Sequence, residues 1–371
     1  MRGVNMQHKR TFGKKLFGLA MILGLGLPLA NVWAQGGDEV EAIVLPAVDP
    51  LSVTGDIAIA GSSTVEPVTV AMAALFQDEG FTGSITVDET GTSAGFERFC
   101  VEGSTDISNA SRPIRDAELE SCAALNREVL EFYIGVDALT VAVSTENDFV
   151  TELKRSDLLK IFTGEVTMWN EVNPEWPAEA IQLFTPGTDS GTFDFFGEAV
   201  LGTRGQYAER EARFDALLAP NPTVSENDNT LVEGIQGSPY AIGYFGFAYY
   251  IANQDSLKAV AIANDITFDD ADNMVVIPEE EWTADAENPI EYVAPSEETA
   301  ESGEYMLSRP LFIYSAKNIL EEKPQVATFI NYYLTNANDV VVETGYFPVS
   351  TEALNASKQV WLDAMGLEAA E

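Results

Sequence analysis

The chain has 371 residues, 46% of them hydrophobic, with 59 acidic and 20 basic side chains and a net charge of −39 at pH 7. That charge argues against nucleic acid and anionic membranes as partners, and favours a soluble monomer. The single histidine, His8, leaves everything after it without the base of a Ser-His-Asp triad and without His-rich metal sites.

Residues 1–34 read as a removed signal peptide. Lys9, Arg10, Lys14 and Lys15 form a basic region, Leu16 to Leu29 an apolar run, and Val32-Trp33-Ala34 a small-residue cleavage site. The run is short and poorly flanked for a membrane span, which argues against the alternative of an uncleaved anchor, and no cysteine follows it to carry a lipid. Cleavage takes five cations (Arg2, Lys9, Arg10, Lys14, Lys15) and no acid, which moves the net charge from −39 to −44. Residues 35–52 are expected to be a polar, flexible leader. The roughly 300 residues beyond suggest two domains or one bilobal unit.

Ile57 to Ala60 is a short apolar strand, followed by Gly61-Ser62-Ser63-Thr64 and a helix carrying Val68, Met72, Leu75 and Phe76 at helical spacing. Ser84 to Val87 is a second strand, ending in Gly91-Thr92-Ser93-Ala94-Gly95 and a helix start at Phe96. Asp106 to Ser108 is a third, followed by Asn109-Ala110-Ser111-Arg112 and a helix that Pro113 opens. Phe132 to Ser144 is an apolar strand long enough to cross between lobes. Ser156 to Phe162 is a capped helix, Trp169 lies in a turn, and Ile181 to Phe184 is a strand. The turn Thr185 to Thr192 leads into a helix led by Phe193. Asn227 caps another helix, and Ala241 to Phe245 is a buried strand. The stretch 265–303 is acidic, with Met274 to Ile277 its one clear strand. Its run from Asp265 to Asp272 lacks the glycine and spacing of a calcium loop. Leu307 to Tyr314 and Gln325 to Leu334 close the chain as strand and helix. Strands alternating with helices argue for parallel sheets in an α/β fold.

Two cysteines, Cys100 and Cys122, remain in a chain expected to be exported. An even count in an oxidising compartment favours one disulfide, with two free thiols as the alternative.

The stretch GTSAG fits the G-x-S-x-G nucleophile elbow, yet Ser93 has no histidine to activate it, and only a Ser-Lys arrangement stays open. Four turns share one design instead: a strand end, small hydroxyl and glycine residues, then a helix. Helix N-termini present unpaired N–H groups and the positive end of the macrodipole, and hydroxyls add donors. Such turns also serve simply as N-caps worth about 1 kcal/mol.

Eight segments, in order, carry a resemblance: GSSTVEPVT (61–69), DETGTSAGFERFC (88–100), DISNASRPI (106–114), TPGTDSGTFDFF (185–196), ENDNTLVEGI (226–235), AIGYFGFAYY (241–250), LSRPLFIY (307–314) and TGYFPV (344–349). Together they resemble the PstS family of periplasmic phosphate-binding proteins of ABC uptake systems, and its SphX-type branch above all.

The resemblance implies a two-lobed periplasmic-binding-protein fold of type II, each lobe a mixed sheet flanked by helices, with a hinge between. Lobe 1 would take residues 53–140 and 307–371, and lobe 2 residues 141–306. The chain would cross near Asp137 to Val143 and return near Leu307 to Phe312. It further implies a non-enzymatic receptor, periplasmic or extracellular, without metal or cofactor. Such a receptor captures inorganic phosphate and delivers it to a membrane permease of an ABC transporter.

Carried over by position, Ser63 and Thr64, Ser93, and Ser190, Gly191 and Thr192 are phosphate donors. The family's arginine four residues before Ser190 is replaced by Pro186, and its acceptor aspartate by Ser111-Arg112. Arg112, with Ser111, is read as supplying the missing guanidinium from the other lobe. A surface ion pair is the plainer role for Arg112. Asp189 is the nearest candidate to accept a phosphate proton, and Arg309 is read as structural. Other readings are a receptor for sulfate or arsenate, a phosphate-ester hydrolase, and an acidic adhesion or matrix protein.

Overall fold

A computed structural model describes residues 40–188, 190–283 and 289–369. The expected signal peptide, the start of the leader (35–39) and Asp189 lie outside those residues. Among the described residues no helix is long and apolar enough to cross a membrane.

The chain begins with three strand–helix units: β1 (Ile57–Gly61) and α1 (Glu66–Asp78), β2 (Ile85–Glu89) and α2 (Thr92–Glu97), β3 (Ile107–Ala110) and α3 (Asp116–Ala124). Next comes β4 (Val129–Ser144), buried at every position from Ile134 onward. It is covered on both faces, so it reads as one apolar run with no alternation. The middle of the chain holds β5 (Glu152–Lys154), α4 (Arg155–Phe162), α5 (Trp169–Val172), β6 (Gln182–Thr185), α6 (Gly191–Leu201), α7 (Arg210–Leu218) and β7 (Thr223–Val224). It continues through α8 (Asp228–Gln236), β8 (Ala241–Gly246), α9 (Phe247–Ala252), the short strands β9 (Leu257–Ala259), β10 (Ala261–Ala263), β11 (Ile266–Phe268) and β12 (Met274–Val276), and α10 (Glu297–Glu301). The chain then returns through β13 (Ser308–Ala316), α11 (Lys317–Glu322), α12 (Pro324–Glu343) and α13 (Thr351–Met365).

Nine strands share one sheet in the order β2-β1-β3-β13-β4-β8-β6-β7, with β9 also on β4. Pairing is parallel in the outer sets, where helices connect neighbouring strands. It is antiparallel where β13 meets β3 and β4, and where β4 meets β8 and β9. The sheet is therefore mixed, and the strand–helix alternation anticipates only its parallel part.

The first half of β4 pairs with β13, from Val129 to Ala138. The second half, from Leu139 onward, pairs with β8. The apolar core changes at the same point: Ala138 belongs with Phe76, Phe96, Phe132, Phe329 and Tyr333. Leu139 belongs with Phe162, Trp169, Phe196 and Tyr244. On the return, Leu307 is in the second core and Leu311 in the first. Each fully buried aromatic removes enough apolar surface from water to contribute about 1.5–3 kcal/mol.

Several local expectations need correction. Residues 40–52 are not free: Leu45 is buried, and Ile43 donates its N–H to Asn355 Oδ1 at 2.7 Å. Lys358 Nζ and Asn331 Nδ2 donate to the carbonyls of Ile43 and Pro46. Apolar side chains in this stretch cover α12 and α13, and that burial together with four polar contacts outweighs a polar composition. Pro113 does not open α3. The helix starts at Asp116, because Glu118 reaches back to accept the N–H of Arg115 at 2.8 Å and fixes the first turn there. Trp169 sits not in a turn but at the start of α5, fully buried, with its indole N–H on the Tyr240 carbonyl. A second strand, β11, pairs with β12 in the acidic stretch.

Cys100 and Cys122 form a disulfide. It joins the π-helical turn that continues α2 (Arg98–Glu102) to α3, both sulfurs being buried. Bridging residues 22 apart stabilises by about 3 kcal/mol in the chain-entropy model.

Candidate ligand site

The carboxyl ends of β1, β2 and β3 are tied into one rim. The Gly61 carbonyl accepts from Thr90 N at 3.0 Å and Gly91 N at 2.8 Å, and Ser62 N donates to the Asn109 carbonyl at 2.9 Å. Gly61 makes this possible: its φ is +147°, and a Cβ there would stand 2.0 Å from the Asn109 carbonyl oxygen. Gly95 has a different task, since a Cβ on it would lie 2.6 Å from Gly61 Cα. The second glycine of GTSAG thus lets α2 pack directly on β1, which brings Ser93 to the rim.

Opposite the rim, α6 starts at Gly191 and is fixed by its phenylalanines. Phe193 and Phe196 are buried, and Phe196 lies flat on Tyr244 of β8 with centroids 3.7 Å apart. Between rim and α6 runs a cleft of about 750 Å³. Lobe 1 lines it with Ser63, Thr64, Ser93, Ser111 and Arg112, and lobe 2 with Gly191, Asp194 and Glu198. The two walls come close, because a Cβ on Gly191 would be 3.9 Å from Thr64 Oγ1.

The hydroxyls share one arrangement. Ser93 Oγ accepts from Arg112 Nη2 at 3.1 Å, and Ser190 Oγ accepts from Thr192 N at 3.2 Å. Ser62 Oγ accepts from Thr64 N, and Thr92 Oγ1 from Ser111 N, each at 3.2 Å. In each case a fixed donor occupies an oxygen lone pair, and among the described residues the O–H groups of Ser62 and Ser93 keep their protons free to donate, whereas Thr92 and Ser111 share one proton between their hydroxyls, 3.2 Å apart. Of the lobe 2 trio only Gly191 is on the cleft wall; Ser190 and Thr192 flank it, and Ser190 is the N-cap of α6.

Arg112 fits both readings that the sequence left open. It forms a bidentate pair with Glu118 at 2.7 and 2.9 Å while touching Ser93. Burial alone would raise the Glu118 pKa, but hydrogen bonds from Arg112 and the Arg115 N–H outweigh it and hold the carboxyl below its ordinary value. On the other wall, buried Arg213 stands 3.5 Å from Glu198 and 3.8 Å from Asp194. Burial, and then the charge of Asp194, push the Glu198 carboxyl upward.

Thr92, which the sequence places beside Ser93 in the second hydroxyl-rich turn, joins that turn to the third through Ser111. Two features of the cleft escape the sequence reading. The acids Asp194 and Glu198 lie at i and i+4 on α6, a pattern indistinguishable in sequence from a solvated helix face. Arg309 lines the cleft and pairs with Asp137 at 2.9 Å across β13 and β4. Its only sequence signal is a lone arginine inside an apolar strand.

Comparison with known proteins adds to this geometry. A family model for the PBP superfamily domain matches residues 48–337. Protein SphX of Synechocystis sp. is 38% identical over 319 residues, which are 85% of this chain and 84% of that protein. The phosphate-binding protein PstS of Staphylococcus haemolyticus is 32% identical over 341 residues, 92% of each chain. A crystal structure described as a possible phosphate binding protein from Planctomyces limnophilus superposes with a TM-score of 0.71 at 35% identity, covering 84% of this chain and 99% of that one.

Proposed function

The chain belongs to the PBP superfamily, among its SphX- and PstS-like phosphate-binding proteins, and on that premise we propose how its cleft takes the anion. The protein captures inorganic phosphate between its two lobes and hands it to an ABC transporter. The observation that carries the site is the group of hydroxyls on the lobe 1 wall of the cleft beside the Arg112 guanidinium, where Ser93 Oγ already accepts from Arg112 and keeps its proton to donate. A tetrahedral anion is acceptor-rich, and such donors hold it without waiting to be reoriented. Ser63, Thr64, Ser93, Ser111 and Arg112 act from lobe 1. Ser190, Gly191 and Thr192 act from lobe 2, at the positive end of the α6 dipole.

A volume of about 750 Å³ is large enough for a drug-sized molecule and far exceeds one phosphate. Tight capture therefore requires the lobes to close further around the hinge at Ala138/Leu139 and Leu307/Ser308. No covalent step is involved: Ser93 accepts from Arg112 and has no base beside it, so it donates a hydrogen bond and does not attack. The protein works outside the cytoplasm as a monomer, and its partner is the membrane permease of the transporter.

Calorimetry against phosphate, arsenate and sulfate tests this reading. Phosphate should bind with micromolar or tighter affinity, about −8 kcal/mol. Arg112→Ala should weaken binding by about 1.5–3 kcal/mol, the worth of a charge-assisted bond. Absence of phosphate binding, a preference for sulfate, or phosphate-ester hydrolysis abolished by Ser93→Ala would each overturn it.

A further inference from the structure

Arg309 is out of place for a purely structural residue. It sits in β13 directly across from Asp137 of β4, one residue before the core changes from lobe 1 to lobe 2. The two side chains are 12% and 5% exposed. A buried ion pair of this kind adds little stability over an apolar pair of similar size, because both charges lose their hydration. Its retention at the hinge asks for another reason.

The remaining contacts supply one. Arg309 Nε donates to Asp137 Oδ2 at 2.9 Å, and Nη2 donates to the Gly191 carbonyl at 3.3 Å. The guanidinium carbon also stands 4.0 Å from the ring centroid of Phe195, on the same helix. One side chain thus grips the hinge strand on one side and the start of α6 on the other. Among the described residues its Nη1 has no hydrogen-bond partner, while the side chain lines the cleft. Of the three other arginines lining the cleft, Arg112 is tied to Glu118 in one lobe and Arg213 to Asp194 and Glu198 in the other, and exposed Arg115 has no salt bridge among the described residues; none of them reaches across as Arg309 does.

Building on the phosphate-receptor reading above, we infer that Arg309 binds the captured anion through Nη1 and couples capture to lobe closure, with Asp137 as its positioning residue. With the cleft empty, Asp137 balances the charge and fixes the plane of the guanidinium. When a tetrahedral oxyanion enters, Nη1 meets it at the floor of the cleft. The anion is then bonded to the one group that touches hinge and α6 together, so its binding energy favours the arrangement in which both walls reach it. A lysine cannot replace this, because one ammonium has no planar fork with which to hold a carboxylate, a carbonyl and an anion in fixed directions.

The test measures phosphate affinity by calorimetry, closure by small-angle scattering with and without saturating phosphate, and melting of the ligand-free protein. It uses wild type, Arg309→Gln, Arg309→Lys and Asp137→Asn. Arg309→Gln should bind phosphate at least about 100-fold more weakly and show no contraction on addition of phosphate. Arg309→Lys, which keeps the charge and protects the fold, should be at least about tenfold weaker with a reduced contraction. Asp137→Asn should fall between wild type and Arg309→Gln in affinity. If wild type binds phosphate and contracts, and a folded Arg309→Lys or Arg309→Gln does the same with unchanged affinity, Arg309 only braces the strand and the inference is overturned. If wild type itself binds no phosphate, the receptor reading fails instead, and the two failures cannot be confused.

Discussion

Asp228 shows how one side chain sets a pH limit away from the cleft. It is the first residue of α8, and burial, followed by the nearby charge of Glu226, pushes its pKa up to about 6 from 3.8. The folded protein holds this proton more tightly than the unfolded chain does. The resulting stability is complete below about pH 3.8 and is lost as pH rises through 6. Asp228→Asn removes that loss, so the variant should be more stable than wild type at pH 7 by about 1–2 kcal/mol, allowing for partial solvation of the group. The advantage should vanish near pH 4. Melting curves of both proteins across this range check the claim, and a gain that persists unchanged at pH 4 would mean that Asp228 is not its cause.

At the scale of elements, the site is only as good as the packing of α2 on β1. Gly95→Ala forces a methyl to within 2.6 Å of Gly61 Cα and 3.1 Å of the Ala60 carbonyl oxygen, both backbone atoms that cannot swing aside. The variant should lose about 1–3 kcal/mol of stability. It should also bind phosphate more weakly, because Ser93 moves with the helix. Denaturant melts and titrations report the two effects separately; normal stability with normal affinity would contradict the packing account. The same elements mark how far the sequence could be read. The strands β1 to β4, β6, β8, β12 and β13, the hydroxyl-rich turns and the cap at Asn227 rest on neighbours in sequence and are legible there. Pro113 misled because its local preference for a helix start lost to the Glu118 hydrogen bond at Arg115. The pairing of Arg309 with Asp137 is not legible, because the two are 172 positions apart and no local pattern reveals a cross-strand pair at that distance. The docking of residues 40–52 was hidden for the same reason, since Asn355 and Lys358 belong to the far end of the chain.

For the whole molecule, a net charge of −39 means that an anion approaches against repulsion. Attraction begins only at the short-range donors of the cleft. Raising salt from about 10 to about 150 mM shrinks the Debye length from roughly 30 to 8 Å, which screens the repulsion more than the contacts. Phosphate affinity should stay level or rise slightly over that range, and a steep fall would mean that a cationic field draws the anion in. The order of strands carries a different consequence, one that concerns how the molecule is made. β13 lies between β3 and β4, yet it is encoded after the whole of lobe 2. Until residues 308–316 emerge, β3 and β4 have no partner on their facing sides, so a newborn chain carries two open, apolar strand edges while the whole of the intervening lobe is made. Open edges invite pairing between chains. The same dense negative charge that hinders the ligand then keeps half-built copies apart, so acidity serves the protein before it has a cleft at all.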